Sequence, residues 1–403
     1  MIRKMLLAIG MFFISVPPVF SAGQEGSQPP PILSLQSEAA VLMDGTTGQI
    51  LFEKNPEKRF SPASLVKMMT LYLAFDAINQ GIVTFDHEEV VSKKTWKMGG
   101  SQMFLKVGDR VKLIELIRGV ASISANDGAV AIAEFLTGAE EVFVHQMNQK
   151  AKRLGLKNTQ FVNCHGLHAD GQYTSAMDMA YLGFHYIHEH PDALKFHSIP
   201  EYAYRGIKQK NWNPLLDHGI GVDGLKTGHL ARVGYHFLFT GEKDGQRLVG
   251  VVMGAKTGGS RKSDALKLIK FGFKNFSTIT LVKEGEVVGK VKVQKGDPPE
   301  LELAAAKTLV VTTWKGREQS APLRKEIPES VDPPINRGAV LGRLVLEGEG
   351  FPKQEISLVA KQDVQPKSYA AYYGFGSAAV VGLLAFLYWT HRTPKKKRKK
   401  RRR

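Results

Sequence analysis

A chain of 403 residues exceeds one ordinary domain, and 43% hydrophobic with 23% charged residues describes a globular protein with ample core. That composition excludes wholesale disorder, a collagen-like fibre and a polytopic membrane protein. The formal net charge of +17 would suggest a nucleic-acid partner, but its location removes that reading. Ten lysines and arginines and no acid lie within residues 392–403, and Arg3 and Lys4 precede an apolar run. The remainder carries 43 basic residues against 38 acidic ones, a net charge of only +5, so no nucleic acid is expected. A single cysteine, Cys164, rules out an intrachain disulfide and a thiolate zinc cluster. No H-E-x-x-H spacing occurs, and neither a metal nor an organic cofactor is expected.

Residues 1–22 read as a secretory signal peptide: a basic start, an apolar stretch at 5–16 and a small-residue exit at Val19-Phe20-Ser21-Ala22. Residues 23–33 follow as a linker with little to bury. Strand-like runs at 39–43 and 49–54 flank Asp44-Gly45-Thr46-Thr47-Gly48, a hairpin signal. Helical patterns then cover about 61–77, 112–120, 127–136, 140–154 and 176–188, and a further hairpin at 234–253 leads into a helix at 261–275. Strands around a helical middle predict an α+β domain at 34–275 with a mostly antiparallel sheet. From 276 to 363 short strand-like runs (287–293, 309–314, 340–346, 356–360) alternate with Gly and Pro, which predicts a small all-β domain.

Residues 368–390 hold 23 positions without a charge, about 34 Å as a helix, enough for one transmembrane helix. Tyr369, Tyr372 and Tyr373 stand at one rim, Tyr388 and Trp389 at the other. The basic tail 391–403 would stay in the cytoplasm, which places the body on the extracytoplasmic face of the membrane. Gly374, Ala378 and Gly382 recur every four residues, a spacing that would let a second copy approach as a homodimer, although small residues are common in spans.

Three short motifs carry chemistry: Ser64-Leu65-Val66-Lys67 at a helix start, Ser124-Ala125-Asn126 in a loop between helices, and Lys226-Thr227-Gly228 before a strand. Residues three apart share a helix face, so the Lys67 amine would lie beside the Ser64 hydroxyl. A serine hydroxyl needs a base, and an amine held neutral by burial or neighbouring cations can be one. Separately, Ser64 could be only an N-cap, Asn126 a turn residue and Lys226 a solvated cation. The three in this order are far more specific.

The sequence resembles the serine-type D-alanyl-D-alanine carboxypeptidases of the low-molecular-mass penicillin-binding proteins, peptidase family S11, whose motifs are S-x-x-K, S-x-N and K-T-G. The match extends to Gly100-Ser101-Gln102-Met103-Phe104-Leu105, Gly155-Leu156-Lys157-Asn158-Thr159, His165-Gly166-Leu167 and Val222-Asp223-Gly224-Leu225. It implies a transpeptidase domain of the penicillin-binding-protein/β-lactamase kind followed by the family's C-terminal domain. It also implies Ser64 as acylated nucleophile, Lys67 as general base and Ser124 as proton relay. Asn126, Lys226, Thr227, Gly228, His229 and Arg261 would bind substrate, with the N–H groups of Ser64 and His229 as oxyanion hole. The implied partners are peptidoglycan stem peptides and β-lactams, and the implied activity removes the terminal D-alanine and so limits cross-linking. Trp212 departs from relatives that can carry an arginine there. Cys164, His165 and His229 near the motifs are expected to pack or hydrogen-bond rather than bind metal.

A β-lactamase with the same motifs, a D,D-endopeptidase and a non-catalytic wall scaffold are the rival readings. Class A β-lactamases use a separate carboxylate, usually in an E-x-x-L-N segment, and no Leu-Asn dipeptide occurs here. The intact motif residues argue against a scaffold.

Overall fold

The order of hydrophobic runs already places the centre of the molecule: a strand with every side chain buried, Ala39–Asp44, can only be interior. The structure is a computed structural model that describes residues 33–348, 351–368 and 370–392, with no side chains described at 370–378 and 391–392. The signal-peptide reading (1–22), all but the last residue of the linker and all but the first two residues of the tail lie outside the described residues.

Strands β1 (Ala39–Asp44) and β2 (Ile50–Lys54) form the expected hairpin. The helical middle comprises α1 (Lys67–Asn79), the short pair β3 (Glu88–Val90) and β4 (Arg110–Lys112), α2 (Lys93–Trp96), α3 (Leu113–Ile123), α4 (Asn126–Thr137), α5 (Glu140–Arg153), α6 (Ala176–Glu189) and α7 (Leu194–His197). A second hairpin, β5 (Glu201–Tyr204) with β6 (Ile207–Lys210), precedes β7 (Val222–Leu230), β8 (Gly234–Lys243), β9 (Gln246–Ala255) and α8 (Gly258–Asn275). The main sheet runs β2-β1-β9-β8-β7, antiparallel throughout.

Both faces of that sheet are covered. Adjacent strand residues point to opposite faces: Val249 and Leu238 meet α6 at Gly183, and Leu248 meets α8 at Gly272. A Cβ at Gly272 would stand 2.5 Å from Leu248 Cδ1 and one at Gly183 2.9 Å from Leu238 Cδ1, so close packing explains both glycines. Helix α1 is apolar all round and correspondingly buried along nearly its whole length. Helix α8 starts three residues earlier than its apolar pattern suggests, because Thr257 and Ser260 form a capping box.

The all-β expectation for the C-terminal domain holds. Strands β10 (Phe276–Val282), β11 (Val287–Val293), β12 (Gly296–Asp297), β13 (Glu300–Ala305), β14 (Leu309–Trp314), β15 (Leu323–Glu326), β16 (Ser330–Val331), β17 (Val340–Gly348), β18 (Phe351–Ala360) and β19 (Gln365–Pro366) make a six-stranded sheet and two ribbons. Gly296 pairs with Pro366, so the domain runs three residues past the expected limit of 363. It joins the catalytic domain at the β1–β2 turn. Thr278 Oγ1 donates to Asp44, the Thr47 and Thr312 hydroxyls lie 2.9 Å apart, and beside them Phe271 of α8 meets the Trp314 ring edge-on at 6.3 Å.

The last described element is α9 (Ala370–Arg392). Among the described residues no helix is long and apolar enough to cross a membrane; in α9 the described side chains, 379–390, are exposed and mostly apolar.

Candidate active site

Ser64 lies in a 3₁₀ turn, Ala63–Val66, that runs directly into α1 at Lys67. The shared-face expectation holds: Lys67 Nζ is 3.1 Å from Ser64 Oγ. The N-cap alternative fails, because no side chain caps this turn. Ala63 takes a left-handed backbone (φ 49°) just before the serine, a conformation L-residues hold only when surrounding structure imposes it. His236 helps impose it: it accepts from Gly254 N–H at 3.0 Å through Nδ1 and donates to the Ser61 carbonyl at 3.1 Å through Nε2. That pairing fixes the tautomer.

Lys67 is wholly buried, and burial lowers its pKa from 10.5 to about 7, although Cys164 and Asp127 act in the opposite sense. A substantial fraction of the amine is therefore neutral at physiological pH. The same ammonium donates to the His165 carbonyl.

Ser124 ends α3 in the left-handed region (φ 63°), and its Oγ is buried with no hydrogen-bond partner. A buried hydroxyl with no partner calls for an explanation, and an incoming molecule would supply one. Asn126 opens α4 and donates to the Gly99 carbonyl at 2.6 Å, which fastens the 99–105 loop to the site. Trp212 braces the end of α3 just before Ser124: its backbone N–H meets Ser122 O at 3.1 Å and its indole Ile123 O at 3.0 Å. Its ring stays 56% exposed.

Lys226, Thr227 and Gly228 sit within β7, not ahead of it. The expectation missed this because Val222–Leu230 is too polar to read as a core strand, yet Gly224 through Gly228 are all buried. The strand passes so close to the nucleophile turn that a Cβ at Gly228 would stand 3.3 Å from Ser64 N. Burial, then the nearby charges of Lys67 and Arg261, holds Lys226 well below the ordinary lysine range. His229 is exposed and stacks on Tyr235 at 4.0 Å. Arg261 lies in the first turn of α8, 5.6 Å from the Tyr235 ring, with its Nε buried and unpartnered.

Several contributors carried no motif. Asp127 accepts from Met103 and Gly128 N–H at 3.0 and 2.9 Å and from Leu105 N–H at 3.2 Å, which ties the 103–105 backbone beneath α4. Gly166 (φ +86°) crosses Ala63 so closely that a Cβ would fall 2.1 Å from its carbonyl oxygen. Burial raises the Cys164 thiol well above its ordinary range, lowers His165 to about 4 and lowers His197 and His236 alike. Cys164 and His165 thus hydrogen-bond within the protein, as expected. Among the described residues one carboxylate–imidazole group, Asp76, Glu189 and His190, has metal-like spacing. Lys150 already fills it, 3.1 Å from both carboxylates.

A serine hydroxyl, a buried amine at hydrogen-bond distance, a second free hydroxyl and two further cations make an acylation site for an anionic substrate. The D-alanyl-D-alanine carboxypeptidase family matches residues 24–257, more than half of the chain, and the penicillin-binding protein 5 C-terminal domain matches 276–366. The chain belongs to this family. D-alanyl-D-alanine carboxypeptidase DacF of Bacillus subtilis is 35% identical over 379 residues, covering 91% of this chain and 95% of that one. Penicillin binding protein 5 of Haemophilus influenzae superposes with a TM-score of 0.76 at 35% identity, over 84% of this chain and 100% of the other. Penicillin-Binding Protein D2 of Listeria monocytogenes, solved with ampicillin bound, matches with a TM-score of 0.56 at 32% identity, over 60% of this chain and 100% of its own. Family membership makes the chain a serine hydrolase of the carboxypeptidase type, with the transpeptidase-like domain and β domain that the sequence predicted.

Proposed function

We propose that the chain removes the terminal D-alanine from peptidoglycan stem pentapeptides through an acyl-enzyme on Ser64, and that β-lactams acylate the same oxygen. The observation that carries this reading is the buried Lys67 amine 3.1 Å from Ser64 Oγ. The neutral amine takes the Ser64 proton as Oγ attacks the penultimate carbonyl carbon. Ser124 passes a proton to the departing D-alanine nitrogen, the C–N bond breaks, and an ester remains on Ser64. Water then hydrolyses that ester and restores the serine. The Ser64 and His229 N–H groups receive the oxyanion. Asn126 holds the substrate amide, Thr227 and Arg261 take the terminal carboxylate, and Lys226 supplies positive potential. Gly228 would bind by letting β7 run close against the nucleophile turn. Removal of the terminal residue consumes the donor that cross-linking needs.

We also propose that α9 anchors the protein in the cytoplasmic membrane with the catalytic domain outside. The uncharged run 368–390, the continuous helix Ala370–Arg392 and the exposed Val380, Leu383, Leu384, Phe386 and Leu387 support this reading. The stripe Gly374, Ala378 and Gly382 would bring two such helices together as a homodimer. One experiment addresses activity and anchorage together. Membranes washed with alkaline carbonate and treated with fluorescent penicillin are expected to retain a stably labelled band in the pellet. Rapid loss of label would indicate a β-lactamase, absence of label a scaffold, and label in the supernatant a peripheral protein.

A further inference from the structure

Glu140 is a buried carboxylate for which neither the sequence motifs nor the proposed chemistry has a use. It opens α5, and its Oε1 accepts from Cys164 N–H at 3.1 Å and from the Cys164 thiol at 3.3 Å, and lies 3.5 Å from His165 Nε2. Lys94 Nζ meets its other oxygen at 3.0 Å. Three of these four donors belong to the 163–166 loop. The far side of the same loop grips α1: the Cys164 carbonyl accepts from Thr70 Oγ1 at 2.7 Å, and the His165 carbonyl accepts from Lys67 Nζ.

We propose that Glu140 is a positioning residue for acylation: it holds the 163–166 backbone so that the His165 carbonyl seats the Lys67 amine against Ser64. This rests on the proposed role of Lys67 as base. Four donors converging on two oxygens require an acceptor-only group, which a carboxylate is and an amide is not. The His165 ring is oriented by the same arrangement. Its Nδ1 accepts from Leu167 N–H at 3.2 Å, which leaves the ring proton on Nε2 facing Glu140. Gly166, next in the chain, lies against Ala63, so a displaced loop would press on the nucleophile turn as well. Burial pushes Glu140 upward, but the donors from Cys164 and Lys94 and the proximity of His165 outweigh it and hold it below the usual carboxylate range.

The charged and titratable groups around this assembly are Lys94 from α2, Glu141 beside it on α5, Cys164 and His165 from the loop, Lys67 from α1 and Asp127 from α4. Lys226 faces Lys67 from β7, and Arg261 faces Lys226 from α8. Burial is the largest cause of the low Lys67 pKa. A loosened loop that admits water therefore moves Lys67 back toward 10.5.

The test uses the full chain with Glu140→Ala and Glu140→Gln, the second-order rate of Ser64 acylation by fluorescent penicillin from pH 5.5 to 9.5, and thermal melting. Glu140→Ala is expected to lower the high-pH rate by about 10-fold to 100-fold and to raise the midpoint by about one pH unit or more. Glu140→Gln keeps one acceptor but turns an amide toward Lys94, and should lose about threefold to tenfold with a smaller midpoint shift. A lower melting temperature with unchanged rate and midpoint would overturn the inference and leave Glu140 a purely structural residue. If the alanine variant does not fold, an unchanged rate and midpoint in the glutamine variant has the same force. Normal acylation of the wild type with unaffected variants defeats this inference alone. A wild type that never acylates at Ser64 defeats the proposed function and this inference with it.

Discussion

Ser64→Ala is expected to abolish both D-alanine release and covalent penicillin labelling while leaving the fold intact. The side chain packs in no core cluster, so the change removes one oxygen and no packing. In their proposed roles Asn126, Thr227 and Arg261 would still bind substrate, since α4, β7 and α8 fix them independently of that hydroxyl. Reversible association of a D-Ala-D-Ala peptide should therefore survive, and turnover should not. Melting temperature and intact mass after penicillin treatment check this. A covalent adduct on the alanine variant would show that another residue is the nucleophile.

Lys67→Ala should lower acylation by roughly 10² to 10⁴, the usual range for loss of a positioned general base. Lys67→Arg should be nearly as damaging, because a guanidinium stays protonated throughout the accessible range. The pH dependence has a definite sign. The amine must be neutral to accept the Ser64 proton, and its pKa is lowered to about 7 chiefly by burial. Acylation should therefore be close to its plateau above about pH 8 and fall roughly tenfold per unit well below pH 7. His165, lowered to about 4, stays neutral through most of that range and does not supply the transition. A rate constant flat from pH 9 to pH 5 would exclude a neutral lysine base.

Much of this architecture was legible in the residues. The helices at 113–123, 126–137, 140–153 and 176–189 lie within three residues of the patterns that announced them, because each is long and buries much of its apolar content. The first and third motifs lie together, since Ser64 and Lys67 are local neighbours and β7 is carried past them by the sheet. What was not legible was set by tertiary context. The run from Val222 to Leu230 looks too polar for a core strand, yet it buries a lysine and a threonine because β8 covers one side of it and the nucleophile turn packs close against it. The turn at Ser64 is 3₁₀ before it is α, and the left-handed Ala63 beside Gly166 reflects contact with a loop 100 residues away. Glu140 and Asp127 belong to no motif, and the contacts that matter, with Cys164 and Met103, lie 24 residues distant in each case.

The most direct measurement of the central claim follows one sample through time. Purified protein is incubated with a D-Ala-D-Ala-terminated pentapeptide and quenched at intervals; free D-alanine is counted and the peptide containing Ser64 is weighed. D-alanine should be released in parallel with a transient ester on Ser64 that adds the mass of the substrate minus one D-alanine, and penicillin should modify the same serine stably. D-alanine released with no acyl group ever found on Ser64, or with the acyl group on another residue, would contradict that claim.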